Sequence, residues 1–284
     1  MDELVSTQWL EDHLGDSDLR IFDATVRFVP DAGALRVASG REEYLLRHVP
    51  GAGFLDLLSD LSDPESPLRF TRPSATRLAN AFSSAGIARE NRVVVYSAAS
   101  PMWATRVFWL LRAAGHAAVA VLDGGFARWV EEGRPVEDAA CRYAPARFLA
   151  EPREDLWAAK DEVRAAIGDA GTCTIDALPS AVHRGEAGLG YARPGHIAGS
   201  VNVPFESLLD PATGCFRPRD EMRTRLSSAG ALERARAITS CGGGIAATMA
   251  ALALVRAGHP NVAVYDGSLD EWSRDPSLPM QTGD

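Results

Sequence analysis

The sequence predicts an α/β fold built as two tandem domains, each a mostly parallel sheet with helices on both faces. Two observations carry this expectation: short apolar runs alternate with stretches of helical period, and the whole arrangement occurs twice. The strand-like runs, rich in Val and Ile and bounded by Gly, Asp or Pro, are Arg92–Tyr96, Val119–Leu122, Ala237–Thr239 and Val262–Tyr265. Helical patterns follow over Ala104–Ala114 and Ala247–Ala257, each closed by Gly-His in the manner of a helix C-terminus. Strands that alternate with helices of this length pair in parallel, and their crossovers cover both faces of the sheet.

The repeat is gapless over its best-preserved part. A constant offset of 143 residues pairs His116 with His259, Asp123 with Asp266 and Trp129 with Trp272. Further upstream, Arg20-Ile21-Phe22-Asp23-Ala24 matches Cys173-Thr174-Ile175-Asp176-Ala177, and His48-Val49-Pro50-Gly51-Ala52 matches His196-Ile197-Ala198-Gly199-Ser200. Each unit is about 120–130 residues, an ordinary domain size. The predicted division is residues 1–136, a linker over 137–156 that contains Pro145 and Pro152, and residues 157–284.

Composition narrows the function classes. The 284 residues are 46% hydrophobic and 24% charged, the balance of a globular protein. A formal charge of −9, from 29 basic against 38 acidic residues, argues against nucleic acid as a partner. No apolar run approaches the roughly 18–20 residues that span a bilayer, so no membrane role is expected. The opening Met1-Asp2-Glu3-Leu4 lacks a basic and apolar leader, and a cytoplasmic location is the expectation. Four cysteines, Cys141, Cys173, Cys215 and Cys241, form no CxxC pair and no Cys–His cluster at zinc spacing. They read as free thiols, and neither a metal nor a cofactor is expected.

One position breaks the symmetry of the repeat. The offset that pairs the histidines sets Cys241 opposite Ala98, each just after a buried strand and just before a helix. Ligands of such sheets bind at the carboxyl ends of strands. Around the thiol runs Ser240-Cys241-Gly242-Gly243-Gly244-Ile245-Ala246-Ala247-Thr248. Three glycines allow the backbone to turn several N–H groups toward one centre, and the helix that follows adds the positive end of its dipole. The expectation is a thiol of lowered pKa, nucleophilic near neutrality. The other three cysteines have no such cradle and read as structural. The plain alternative for Cys241 is a buried cysteine beside a flexible turn.

The loop from Cys241 to Ala247 resembles that of the thiosulfate/3-mercaptopyruvate sulfurtransferases, a rhodanese-like family in which Cys-Gly-Ser-Gly-Val-Thr-Ala or Cys-Arg-Lys-Gly-Val-Thr-Ala is typical. The resemblance extends through Arg47–Ala52, Leu122-Asp123-Gly124-Gly125-Phe126, Gly195–Phe205, and Tyr265-Asp266-Gly267-Ser268 with Trp272. It implies two rhodanese-like domains and a Cys241 persulfide that carries sulfane sulfur from a small donor to a thiol, cyanide or thioredoxin-like acceptor. It further implies a catalytically silent first domain that supplies one wall of the active cleft, and a donor held by Gly242, Gly243, Gly244, Ile245 and Ala246. Arg184, in His183-Arg184-Gly185-Glu186, follows the family's Phe-Arg-Gly-Glu shape and has a planar fork suited to a carboxylate, so it is either a donor ligand or a solvated surface group.

Departures from the family pattern leave the donor open. Basic residues usual after the cysteine of thiosulfate-preferring relatives are replaced by Gly242 and Gly243. The serine of the mercaptopyruvate type is absent at Gly243, and its aspartate and histidine partners are replaced by Leu58 and by Arg69 or Phe70. Arg193 reads as structural, whereas Arg27 is a candidate for the cleft. His48 and His196, Asp23 and Asp176, and Asp123 and Asp266 are kept in both copies, which argues for structure rather than catalysis. Two other functions are weighed. A sulfur carrier would deliver its persulfide only to a protein partner. A phosphatase-like cysteine enzyme would need an arginine six residues after the thiol, where this chain has Ala247, its next arginine being Arg256.

Overall fold

A computed structural model describes residues 1–31 and 34–283, and the chain divides into two compact units. Unit 1 comprises residues 1–64, 72–153 and 212–215; unit 2 comprises residues 65–71, 154–211 and 216–284.

In unit 1 the elements run β1 (Leu4–Val5), α1 (Thr7–Asp12), β2 (Leu19–Asp23), β3 (Val26–Asp31), β4 (Ala34–Ser39), α2 (Arg41–Leu46), β5 (Gly53–Phe54), α3 (Ala75–Ser84), β6 (Arg92–Tyr96), α4 (Met102–Ala113), β7 (Val119–Leu122) and α5 (Gly125–Glu131). Five strands form one parallel sheet in the order β1-β7-β6-β2-β5. Val93 to Tyr96 and Val119 to Leu122 are all buried, so side chains on both faces of the central strands are covered. The apolar helix α4 closes over β6 and β7, with Trp103, Trp109 and Trp129 among the fully buried side chains. Strands β3 and β4 form a separate antiparallel hairpin. The stretch from 137 onward lies in unit 1 through 153, anchored by Tyr143, whose hydroxyl donates to the Gly51 carbonyl and accepts from the Ile21 N–H.

Unit 2 repeats the plan with β8 (Trp157–Ala158), α6 (Lys160–Ala166), β9 (Thr172–Asp176), α7 (Ser180–His183), β10 (His196–Ile197), β11 (Val201–Asn202), α8 (Arg219–Ser228), β12 (Arg236–Ser240), α9 (Ala247–Arg256), β13 (Val262–Tyr265), α10 (Ser268–Trp272) and β14 (Met280–Gln281). Its parallel sheet, β11-β9-β12-β13-β8, matches the first strand for strand when read in reverse. The Gly-His ends fall where the repeat sets them: Gly115 and Gly258 take φ of +92° and +88°, closing α4 and α9 in the left-handed conformation that glycine tolerates. Among the described residues no helix is long and apolar enough to cross a membrane.

Candidate active site

Strand β12 delivers Cys241 from the centre of the unit 2 sheet, and α9 begins six residues later. The aligned helix of unit 1, α4, begins only four residues after Ala98, at Met102. Its counterpart loop reads Ala99-Ser100-Pro101 where unit 2 has three glycines. The glycine loop is therefore wider, and it wraps the thiol: the N–H groups of Ala247, Gly243 and Gly244 bond to Sγ. Cys241 is 2% exposed.

The three glycines serve different ends. Gly244 has φ of +72°, and a Cβ there would meet the Asp266 carbonyl oxygen at 2.7 Å. At Gly242 a Cβ would lie 1.8 Å from the Tyr191 hydroxyl oxygen. Gly243 has ordinary room: its nearest neighbours would be an Asp270 carboxylate oxygen at 3.4 Å and the Arg69 carbonyl at 3.6 Å. A Cβ, the first side-chain atom of the serine found there in the mercaptopyruvate pattern, meets no close contact at this position.

The loop is pinned from the side of β13. The Cys241 N–H donates to Ser268 Oγ at 3.1 Å, and Ser268 Oγ donates to the Tyr265 carbonyl at 2.7 Å. Leu269 N–H and Asp270 N–H donate to the carbonyls of Cys241 and Gly242 at 3.1 and 2.8 Å. Arg69 reaches the Asp270 carboxylate with Nε at 3.1 Å and a terminal nitrogen at 3.3 Å. In unit 1 the N–H of Ala98 donates instead to Thr25 Oγ1 at 2.8 Å.

The expected lowering of the Cys241 pKa is corrected. Burial pushes the thiol above its ordinary range; the N–H groups of Ala247, Gly243 and Gly244 pull it back, and the charge of Asp176 adds to the push. Enclosing Sγ removes the water that would solvate a thiolate, and that loss outweighs three backbone donors.

The remaining candidates separate by their partners. Arg184, at the end of α7, closes a two-point pair on Glu186 at 2.8 and 2.7 Å. Arg193 donates to four backbone carbonyls, those of Ser273, Leu278, Trp272 and Asp275, and so ties the stretch after α10 to the segment before β10. Arg27 pairs with Glu43 and also reaches the Ala98 carbonyl. His48 and His196 play one part in both units: each is buried, and each bonds through Nδ1 to a carbonyl at 2.7 Å, that of Tyr44 or of His183. The paired aspartates differ. Asp176 holds His183 Nδ1 at 2.8 Å, and His183 stacks on His196 at 3.6 Å. Asp23 accepts from the hydroxyl and N–H of Thr25 and pairs with the Tyr96 hydroxyl, and burial raises its pKa to about 6. Arg256 is the last residue of α9, roughly 14 Å of helix from its start.

Sequence reasoning missed Ser268, Tyr191 and the Asp176–His183 pair. Ser268 was legible as a difference between copies, since it stands opposite Gly125, whose φ is +58°; Ser268 itself takes φ of +47°. His183 lies one helix beyond Asp176, within reach of a pattern search. Tyr191 sits in a glycine-rich, aperiodic stretch that gave no signal.

An α/β repeat unit with a cysteine in a backbone N–H cradle at the carboxyl end of a central strand defines a class of thiol-based sites. The family model for the rhodanese-like domain matches residues 6–132 and 159–275. The chain belongs to the rhodanese-like family, with two copies of the domain. It is 33% identical over 300 residues to thiosulfate/3-mercaptopyruvate sulfurtransferase 2 of Arabidopsis thaliana, covering 98% of this chain and 86% of that one. It is 34% identical over 280 residues to the thiosulfate sulfurtransferase of Rattus norvegicus, covering 95% and 92%. Among solved structures, SseA from Escherichia coli, described with the fold and catalytic mechanism of 3-mercaptopyruvate sulfotransferases, superposes with a TM-score of 0.83 at 30% identity, covering 94% of this chain and 99% of SseA.

Proposed function

We propose that the protein is a sulfurtransferase that moves sulfane sulfur from a small donor through a Cys241 persulfide to a thiophilic acceptor. The observation that carries this reading is the enclosure of Sγ by the N–H groups of Gly243, Gly244 and Ala247, which suits a terminal sulfur anion bonded to Sγ. With a mercaptopyruvate-type donor, Sγ attacks the donor sulfur. The S–S bond forms as the C–S bond breaks, its electron pair leaves on carbon, and the Cys241 proton ends there to give pyruvate. With thiosulfate the bond that breaks is S–S, and its pair leaves as sulfite. An acceptor thiolate or cyanide then attacks the outer sulfur, and the bonding pair returns to Sγ.

Loop residues Gly242, Gly243, Gly244, Ile245 and Ala246 line the donor position, and Arg184 exchanges Glu186 for a donor carboxylate. The unit with Ala98 is the silent copy. Acceptors are thiols, cyanide, a thioredoxin-like protein or another protein partner. Four free cysteines fit a cytoplasmic site of action. The phosphatase-like alternative is disfavoured by Arg256, which stands at the far end of α9.

The test offers thiosulfate and 3-mercaptopyruvate in turn and reads a 32 Da gain on the Cys241 peptide by mass spectrometry, about one sulfur atom. The wild type gains it and releases it to cyanide or thiol, whereas Cys241→Ser keeps its fold and loses transfer at least about a thousandfold. Transfer retained in Cys241→Ser overturns the reading. A persulfide that discharges only to a protein assigns the chain as a carrier.

A further inference from the structure

Tyr191 belongs to no motif, yet its hydroxyl rests on the loop that carries the thiol. The phenol is partly buried, and its oxygen occupies the space that any side chain at position 242 would need, 1.8 Å from an added Cβ. Basic residues at that position are the mark of thiosulfate-preferring relatives; here the Tyr191 hydroxyl fills that space, and a side chain at 242 would have to displace it. Among the described residues the Tyr191 hydroxyl makes no hydrogen bond within the protein, so its proton is free for an incoming group. It also stays neutral: burial, then the neighbouring Cys241 and Asp270, hold its ionisation far above the ordinary range against a smaller pull from Arg69.

Charge beside the loop points the same way. Arg69, whose carbonyl borders Gly243, already spends its guanidinium on Asp270, whose carboxylate is 9% exposed and faces the same glycine. A dianionic donor placed against Gly243 meets a carboxylate and a compensated cation. A donor bearing one carboxylate on an organic thiol avoids that repulsion and can take a hydrogen bond from a neutral phenol.

We propose that Tyr191 is the specificity-determining residue of the Cys241 loop: it fills the space beside Gly242 and presents an O–H, so that the site selects an organic, singly charged α-keto thiol over dianionic thiosulfate. This rests on the sulfurtransferase reading. The leaving group of such a donor departs as an enolate, and the phenol donates to its developing charge without itself changing charge.

The experiment measures kcat and KM with 3-mercaptopyruvate and with thiosulfate for wild type, Tyr191→Phe, Tyr191→Ala, Gly242→Ala and the double variant Tyr191→Ala/Gly242→Ala. A second readout is the alkylation rate of Cys241, resolved by peptide mass spectrometry. Tyr191→Phe keeps the ring and is expected to lower kcat for 3-mercaptopyruvate about tenfold with KM within about twofold, the scale of one hydrogen bond to a charged group. Tyr191→Ala is expected to shift the ratio of kcat/KM values toward thiosulfate by about tenfold or more. Gly242→Ala alone displaces the phenol and changes Cys241 alkylation, and the same change on the Tyr191→Ala background has little further effect. A donor ratio that stays within about twofold in Tyr191→Ala, or additive effects in the double variant, overturns the assignment. Absence of any persulfide in the wild type overturns the sulfurtransferase reading itself, and is thereby distinguished from a failure of Tyr191 alone.

Discussion

Adding one methyl group at each of the three loop glycines should give three different results, because the backbone treats each position differently. Gly244→Ala places a Cβ at φ of +72° and 2.7 Å from the Asp266 carbonyl oxygen. The left-handed conformation costs about 1–2 kcal/mol for a residue with a Cβ, and forcing a backbone contact apart costs about 1–3 kcal/mol more. The expected loss is about 3 kcal/mol, with persulfide formation slowed as the Gly244 N–H swings off Sγ. Gly243→Ala meets ordinary contacts and a φ outside the left-handed region. It should be neutral or stabilising by up to about 1 kcal/mol, since alanine narrows the unfolded ensemble. At Gly242 the added carbon meets the end of a side chain that can turn away, so stability falls by about 1 kcal/mol or less while Tyr191 is displaced. Urea unfolding followed by tryptophan fluorescence reports stability, with Trp157 and Trp272 in unit 2 as local probes. Rates come from mass spectrometry of the Cys241 peptide. A Gly243→Ala variant as damaged as Gly244→Ala would refute the view that the loop is a set of aimed donors rather than a loose turn.

Two further outcomes follow from the electrostatics. Asp23, buried and raised to about 6, holds its proton more tightly folded than unfolded. Its contribution is therefore intact below about pH 4 and is lost as pH rises through about 6. On the order of 3 kcal/mol of stability should vanish between pH 4 and pH 7 in wild type relative to Asp23→Asn, measured as the difference of their urea midpoints; parallel pH profiles would contradict it. Arg184→Met should raise KM for 3-mercaptopyruvate about tenfold and leave kcat within about twofold, as expected when a carboxylate is held equally in ground and transition states. An unchanged KM would return Arg184 to its surface pair with Glu186.

How much of this was legible in the sequence depended on whether a feature repeats. Strands β6, β7, β12 and β13 fall within one residue of the apolar runs, because short Val-rich segments between turn residues bury both faces and leave little freedom in register. The β3–β4 hairpin was not legible: Phe28 is half exposed and Pro30 and Asp31 interrupt the pattern, so no clean alternation marks it. Cys241 stood out as the thiol opposite Ala98, and the structure adds its three N–H donors. Its pKa was misjudged because a sequence shows the donors but not the walls. The Arg69–Asp270 pair joins residues 201 positions apart, a relation no local pattern carries.

Ser268 shows how much a comparison of the two halves can still yield. Its counterpart, Gly125, adopts φ of +58° at no steric cost, while Ser268 holds φ of +47° with a side chain attached. A residue kept in such a conformation costs of order 1 kcal/mol or more, and the surrounding contacts must supply a reason for it to persist. The reason here is the hydroxyl. It accepts the Cys241 N–H and donates to the Tyr265 carbonyl, so that one side chain ties the end of β12 to the end of β13. In unit 1 the corresponding N–H, that of Ala98, is taken by Thr25 from the neighbouring strand end, and the glycine at 125 has no hydroxyl to offer. The two copies thus satisfy the same orphan donor from opposite sides of the sheet centre. In the copy with the thiol the solution fixes the loop from the side of α10, whose Leu269 and Asp270 N–H groups hold the carbonyls of Cys241 and Gly242, whereas in unit 1 the Phe126 N–H of α5 holds that of Ser97. The strain at Ser268 is matched to a loop whose carbonyls are anchored outward while the N–H groups of Gly243, Gly244 and Ala247 face the sulfur.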